Sequence, residues 1–380
     1  MRSVFGLSAY LITVIAIVAI TIRSLELYRR IKAGQADPTR SNQKAKRFVL
    51  MTKEVLTHAK MLKFTGSGIA HWFVMLGFFA LSGTLLTAYG QVINPEFALP
   101  LIGHWIIYNL FTEGFAWLTG ISIVTLIGIR QVTRFTNKGR SSRFYGSGSW
   151  KAYYVEGTIL AIVFCVITLR GLEGALIGYS GNPWDFALSK PAVNAFADLD
   201  KESIENWIVV VASLKIIVSM LWFIVIAANL TMGIAWHRFL APFNIFFKRE
   251  LSEKPTLGAL PEMISNGKVI DFENPKDDDL FGISDAASIS WKGLLDMASC
   301  TECGRCQSQC PAWHTDKPLS PKLLIMALRD HALANIPKEG NVVGQTISPD
   351  VLWSCTTCGA CVNECPVDIE HIDHIVNMRR

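Results

Sequence analysis

Cys300-Thr-Glu-Cys303-Gly-Arg-Cys306-Gln-Ser-Gln-Cys310-Pro311 returns further along the chain as Cys355-Thr-Thr-Cys358-Gly-Ala-Cys361-Val-Asn-Glu-Cys365-Pro366. Eight of the nine cysteines fall in these two copies. The spacing C-x2-C-x2-C-x3-C-P is the bacterial-ferredoxin run that holds a [4Fe–4S] cluster. Three thiolates two residues apart wrap one cubane from a single loop, while the fourth, followed by proline, points toward the other cluster. By that rule Cys300, Cys303, Cys306 and Cys365 hold one cluster, and Cys355, Cys358, Cys361 and Cys310 hold the second. Structural zinc takes four ligands in two close pairs and would leave several cysteines unexplained. Disulfides would require an oxidising compartment.

Composition excludes a simply soluble protein: 51% of the 380 residues are hydrophobic and only 18% charged, with mean hydropathy +0.32. The apolar residues concentrate before residue 240, whereas the motif cysteines all follow residue 299. A bilayer crossing needs about 20 apolar residues, and five stretches supply it, at about 4–22, 68–89, 110–129, 152–172 and 207–236. The fold class is therefore all-α: a five-helix transmembrane bundle followed by a helical two-cluster ferredoxin domain. Residues 1–240 form the membrane part, 241–290 a linker and 291–380 the cluster domain. Pro242, Pro255, Pro261, Asn266-Gly267 and the run Asp277-Asp278-Asp279 mark that linker. Ser320-Pro321 followed by Lys322–Leu333 reads as a helix that starts with Pro at its first position, between the motifs, and Asp368–Arg380 as a further amphipathic helix.

Loop charge orients the spans. Segment 23–63 carries eleven Lys and Arg residues, and segment 130–143 carries Arg130, Arg134, Lys138, Arg140 and Arg143 without an acid. Both belong on the cytoplasmic side by the positive-inside rule. Segment 91–109 has no Lys or Arg, and segment 173–205 has only Lys190 and Lys201, so both lie outside. The N-terminus is then outside, the chain occupies the cell membrane in several passes, and the cysteine motifs face the reducing cytoplasm. Arg2 before the first span, with Arg23, Arg29, Arg30 and Lys32 after it, reads as an uncleaved anchor rather than a signal peptide. The net charge of +5 serves orientation and attraction to anionic lipid. Nothing resembles a nucleic-acid module or a P-loop, and Gly146-x-Gly148 lacks the strand–helix context of a dinucleotide site.

Histidines inside or beside a span are costly unless paired or coordinated. His71 in the second span and His237 at the end of the fifth come out at similar depth on the cytoplasmic side. Two such imidazoles can serve as the axial ligands of a b-type haem; the alternative is a pair of interfacial histidines bonded to headgroups or backbone. His104 and His58 have no partner at matching depth and read as solvated or interfacial. His314, His331, His371 and His374 read as surface residues of the cluster domain, and Cys165 as a small core residue. Lys215, Glu113, Glu156 and Arg170 are charged at unusual depth. They either snorkel to the span ends or pair around a quinone or a proton path.

With five spans, His71 and His237, and the doubled motif, the chain resembles known families along nearly its whole length. The membrane part is similar to the haem b subunit of respiratory nitrate reductases and to the membrane subunit of methanogen heterodisulfide reductase. The cluster part resembles the helical ferredoxin domain of heterodisulfide reductase, anaerobic glycerol-3-phosphate dehydrogenase and succinate dehydrogenase. Trp353-Ser354-Cys355-Thr356-Thr357-Cys358-Gly359-Ala360-Cys361 is typical of that group. The fusion resembles actinobacterial membrane iron–sulfur oxidoreductases of the electron-transfer flavoprotein:menaquinone type. That resemblance implies electron transfer between electron-transfer flavoprotein and menaquinone through two [4Fe–4S] clusters and haem b; for the protons that quinone reduction takes up, the sequence itself offers Glu113, Glu156 and Lys215. Members of that family continue into cysteine-rich "CCG" repeats, which are absent before Arg380. This implies a fragment or a split subunit with a CCG-repeat partner. It also keeps open a non-catalytic anchor and wiring subunit of a larger oxidoreductase, such as a heterodisulfide reductase-like enzyme. A third reading is a membrane redox sensor without haem.

Overall fold

The computed structural model describes residues 2–177, 184, 186–251, 258–265, 267–334 and 340–380. The sequence cues Pro255 and Asn266 lie outside the described residues. In chain order the helices begin with α1 (Arg2–Lys32), α2 (Lys44–Thr57), α3 (Ala59–Leu62), α4 (Thr65–Ala80) and α5 (Ser82–Ile93). There follow α6 (Ile106–Thr136), α7 (Ser149–Ile177), α8 (Lys190–Phe196), α9 (Lys201–Ala228) and α10 (Gly233–Phe246). The cluster region adds α11 (Trp291–Ser299), α12 (Arg305–Ser308), α13 (Pro311–His314), α14 (Pro321–Ala332), α15 (Pro349–Trp353), α16 (Ala360–Glu364) and α17 (His371–Arg379). Among the described residues the strands are β1 (Ile264–Ser265) and β2 (Lys268–Val269), one short antiparallel pair. The protein is all-α.

Among the described residues five helical stretches are long and apolar enough to cross a membrane: Arg2–Lys32, Thr65–Ile93, Ile106–Thr136, Ser149–Ile177 and Lys201–Ala228. The second is broken at Leu81 into α4 and α5. The hydroxyls of Ser82 and Thr84 return to the carbonyls of Phe79 and Leu81 at 2.6 Å each, competing with the helical ladder where it bends. The fifth stretch corrects the expected span 207–236: α9 stops at Ala228. The Asn229 carbonyl takes the Met232 N–H at 3.0 Å and the Trp236 indole N–H at 3.1 Å. These bonds turn the chain, and His237 falls on the separate helix α10 rather than on the fifth span. That helix continues through Pro242 to Phe246, into the region read as linker.

The chain divides into two compact units, and neither is contiguous. One comprises Met1–Thr21, Leu62–Val132 and Trp150–Val225; the other comprises Ile22–Met61, Thr133–Ser149 and Ile226–Arg380. The core of the first unit sets Ala9, Ala16 and Ala88 against Cys165, Leu169, Leu172, Ile208, Ala212 and Ile216, so Cys165 is a core residue as its sequence setting suggests. In the second unit the basic segments between spans are folded parts of the domain. Arg47 on α2 donates to the carbonyls of Phe246 at 3.0 Å and Lys248 at 2.6 Å. One carboxylate ties three helices: Asp296 on α11 accepts from Lys292 at 2.7 Å and from Asn244 on α10 at 2.8 Å, and lies 3.1 Å from His374 on α17.

Candidate iron–sulfur site

Each cysteine copy is built the same way. A helix ends at the first cysteine, α11 before Cys300 and α15 before Cys355. The residue two places on, Glu302 or Thr357, is left-handed at φ 57° or 53°. So is the glycine after the second cysteine, Gly304 at φ 75° and Gly359 at φ 78°. A short helix then carries the third cysteine, α12 for Cys306 and α16 for Cys361. Left-handed residues curl the loop so that side chains two and three positions apart face inward. The curl also aims backbone N–H groups at sulfur: Thr357 donates to Cys355 and Ile369 to Cys365, each at 3.3 Å. Hydrogen bonds of this kind tune a cluster's potential.

The thiols fall into two crossed neighbourhoods. Burial pushes the Cys365 thiol up to about 12, and Cys303 and Cys300 beside it add to the shift. Cys306 is raised well above its usual range by burial first, then by Cys303, Cys365, Cys300 and Cys361. Burial likewise raises Cys310, with Cys355 and Cys358 next to it, and Cys361, next to Cys355, Cys310 and Cys358. A thiolate in so dry a place needs a compensating cation, which iron supplies. Among the described residues no three His, Cys, Asp or Glu side chains converge as for a single metal ion.

The two copies differ in exposure at their first two cysteines. In the first, Cys300, Cys306 and Cys310 are buried and Cys303 half-exposed; in the second, Cys361 and Cys365 are buried, Cys355 half-exposed and Cys358 exposed, beside Trp353 at 68% exposure. Residues distant in sequence cover the first copy. A Cβ at Gly304 would collide with the Arg143 carbonyl, and one at Gly233 with the Cys300 carbonyl. Arg305 donates to the carbonyls of Lys60 and Met61 at 3.0 Å each. Lys322 donates to Arg143 and Tyr145 carbonyls at 3.0 and 2.6 Å. Arg329 pairs with Glu302 at 2.8 Å. Lys322 and Arg329 both lie within electrostatic reach of Cys300. Sequence reasoning missed these buried cations: nothing in the sequence around Lys322 or Arg329 distinguishes them from surface positions on α14.

His237 donates from Nδ1 to the Gly233 carbonyl at 3.2 Å, one of the kinds of bond that fix ring orientation in metal-ligating histidines. His71 lies on α4 and is half-buried. His58 caps α2 with Nδ1 2.7 Å from the Val55 carbonyl, and His104 is exposed. His314 is exposed as read, but the surface reading of His331, His371 and His374 is corrected, since their exposures are 1%, 1% and 5%. Each is held by a bond that the sequence does not reveal: His331 to Thr346 at 2.8 Å, His371 to the Ile369 carbonyl at 3.0 Å, and His374 to Asp296.

Charges of the apolar helices are paired internally instead of snorkelling. Glu113 accepts from Arg170 and from the Leu188 N–H, both at 3.0 Å. Arg170 also meets Glu173 at 2.7 Å, and Gln91 donates to Glu173 at 2.5 Å. Arg130 meets Glu156 at 2.8 Å. Lys215, 1% exposed, places Nζ 2.7 Å from both the carbonyl and the hydroxyl of Thr84.

Comparison with known proteins agrees with the geometry. A family described as "4Fe-4S dicluster domain" matches residues 299–369. The chain is 24% identical to the EtfAB:quinone oxidoreductase of Syntrophomonas wolfei, covering 98% of this chain and 54% of that one. It is 32% identical to a "Probable membrane-anchored ferredoxin" of Chromohalobacter salexigens over 40% of this chain and 27% of that one. It is 33% identical to one subunit of the ferredoxin:CoB-CoM heterodisulfide reductase of Methanosarcina mazei, over 23% of this chain and 46% of that one. The chain spans about half the length of these curated relatives, or less. No solved structure matches it. A helical 4Fe–4S dicluster region joined to five apolar helices, in a chain similar to iron–sulfur oxidoreductases and their subunits, is what fold and comparisons together establish.

Proposed function

We propose that the chain is an iron–sulfur oxidoreductase of the cell membrane that passes electrons between a cytoplasmic donor, electron-transfer flavoprotein, and menaquinone. Cys300, Cys303, Cys306 and Cys365 hold one [4Fe–4S] cluster, Cys355, Cys358, Cys361 and Cys310 the other, and His71 and His237 hold haem b. These groups supply one-electron transfer when bound. The chain's own residues set their order and surroundings. The exposed Cys358 and Trp353 give a soluble donor an approach to the second motif, while the first is covered.

The observation that carries this reading is the close approach of Gly233 to the carbonyl of Cys300. Gly233 is one turn from His237 and accepts its Nδ1 contact, so a cluster ligand and a candidate haem ligand meet through a single backbone contact. Glu113, Glu156 and Lys215 remain weak candidates for moving protons: all three are buried, and the first two are committed to arginine partners. The relatives' names support the quinone end of the reading. A reduced-minus-oxidised optical spectrum of the purified chain tests it. A sharp b-type α-band is expected, lost in His71→Ala and in His237→Ala; a wild-type spectrum without that band sinks the haem assignment.

Similarity to a heterodisulfide reductase subunit favours a second reading, an anchor and wiring subunit whose catalytic step belongs to another polypeptide, such as a CCG-repeat subunit. Purified chain that reduces a menaquinone analogue unaided, with reduced electron-transfer flavoprotein as donor, excludes it.

A further inference from the structure

We infer that α2 is a membrane-surface helix that lays its exposed apolar stripe into an anionic phospholipid leaflet. Its 14 residues extend about 21 Å at 1.5 Å per residue, too short to cross a bilayer but long enough to lie along one. At 100° per residue, Phe48, Thr52, Ala45, Leu56 and Val49 fall on one continuous stripe. Phe48 is 59% exposed, Val49 63% and Leu56 57%. That is the exposure of Val4, Leu11 and Val14 on the apolar helix α1, at 67%, 61% and 60%.

Lysines border the stripe on both edges, Lys44 on one side and Lys46 with Lys53 on the other, all exposed. Long cationic side chains in that position reach up to phosphate while the stripe sinks toward the acyl chains. Each adds electrostatic attraction to an anionic leaflet. A protein partner would not require lysine on both borders, but a lipid surface rewards it. The opposite face is already committed: Arg47 is bonded to the carbonyls of Phe246 and Lys248, and Glu54 pairs with Lys248. Only residues 58–64 separate the end of α2 from the apolar helix that begins at Thr65. Because its inner face bears the end of α10, seating α2 on lipid also fixes the depth of the helix that carries His237.

The test uses the full chain in nanodiscs with a phospholipid bearing an acyl-chain diazirine. Photo-adducts are expected on Phe48, Val49 and Leu56 in discs containing phosphatidylglycerol, with the apolar helices labelled in the same sample as an internal control. Yield on α2 should fall several-fold in phosphatidylcholine alone and in the charge-reversed variant K44E/K46E/K53E. Unlabelled α2 beside labelled apolar helices overturns the inference, as does a yield indifferent to lipid charge and to the reversal. Cross-links from this stripe to another protein in place of lipid overturn it too. The readout needs neither clusters nor donor, so it stands apart from the electron-transfer reading.

Discussion

Single residues around the first motif act as fixed charges on whatever the thiols hold. Lys322 is 1% exposed and anchored to Arg143, Tyr145 and Ser147, so its ammonium cannot swing away. A buried cation stabilises the more negative, reduced form of a neighbouring cluster. Replacing it by a neutral side chain of similar length, Lys322→Met, should lower the potential of the first cluster and leave the second almost unchanged. An interaction of about 1–2 kcal/mol at an effective dielectric near 20 corresponds to roughly 40–90 mV for one electron. Redox titration followed by electron paramagnetic resonance measures it, and equal shifts in both clusters would remove Lys322 from this role. The cysteine spacing that predicts the clusters is local and therefore legible in the sequence. Lys322 is not, because its neighbours Arg143 and Tyr145 lie far away in the chain and only folding brings them together.

At the scale of elements, helices are legible where periodicity and capping are local. Ser320 caps α14 by accepting from the Leu323 N–H, as the Ser-Pro pair predicts. What the sequence obscures is where an apolar run stops being one helix. The run from Trp207 to Trp236 looks continuous by hydropathy, but the Asn229 carbonyl diverts it. α17 shows the same limit from another side, since its histidines look like surface residues and are interior. Burial holds His371 at about 4, below the ordinary histidine value of about 6.5. The unfolded chain therefore binds the extra proton first, and stability falls as pH drops from about 6.5 to about 4, levelling off below that. The full loss is about 3 kcal/mol for that 2.5-unit gap. Thermal melts at pH 7 and pH 5 should differ less for His371→Gln than for the wild-type chain; identical pH sensitivity would count against a buried neutral imidazole.

Across the whole molecule, chain order and spatial order part company. The second compact unit recruits Ile22–Met61 and Thr133–Ser149 from between the apolar helices, and these segments include Lys60, Met61 and Arg143, which wrap the first motif. The basic segments 23–63 and 130–143 thus also supply walls around the first cysteine motif, a duty hidden from any count of positive charge. The crossed thiol neighbourhoods make a sharp prediction at this scale. On the proposed ligand sets, Cys365→Ser should perturb the cluster assigned to Cys300, Cys303 and Cys306 and spare the one assigned to the motif to which Cys365 belongs in sequence. Resonance spectra of Cys365→Ser and Cys358→Ser, compared side by side, decide it; changes in the same signal for both variants would rule out the exchange.

That exchange has a bearing on biosynthesis. Cys310 is translated well before Cys355, and Cys365 well after Cys306, so on the crossed ligand set neither cubane has all four thiolates until the second motif is made, one at Cys361 and the other at Cys365. Complete iron loading of either centre then follows synthesis of the second motif. A chain interrupted between the two motifs would be left with no finished metal centre, open to oxidation and ready for proteolytic disposal.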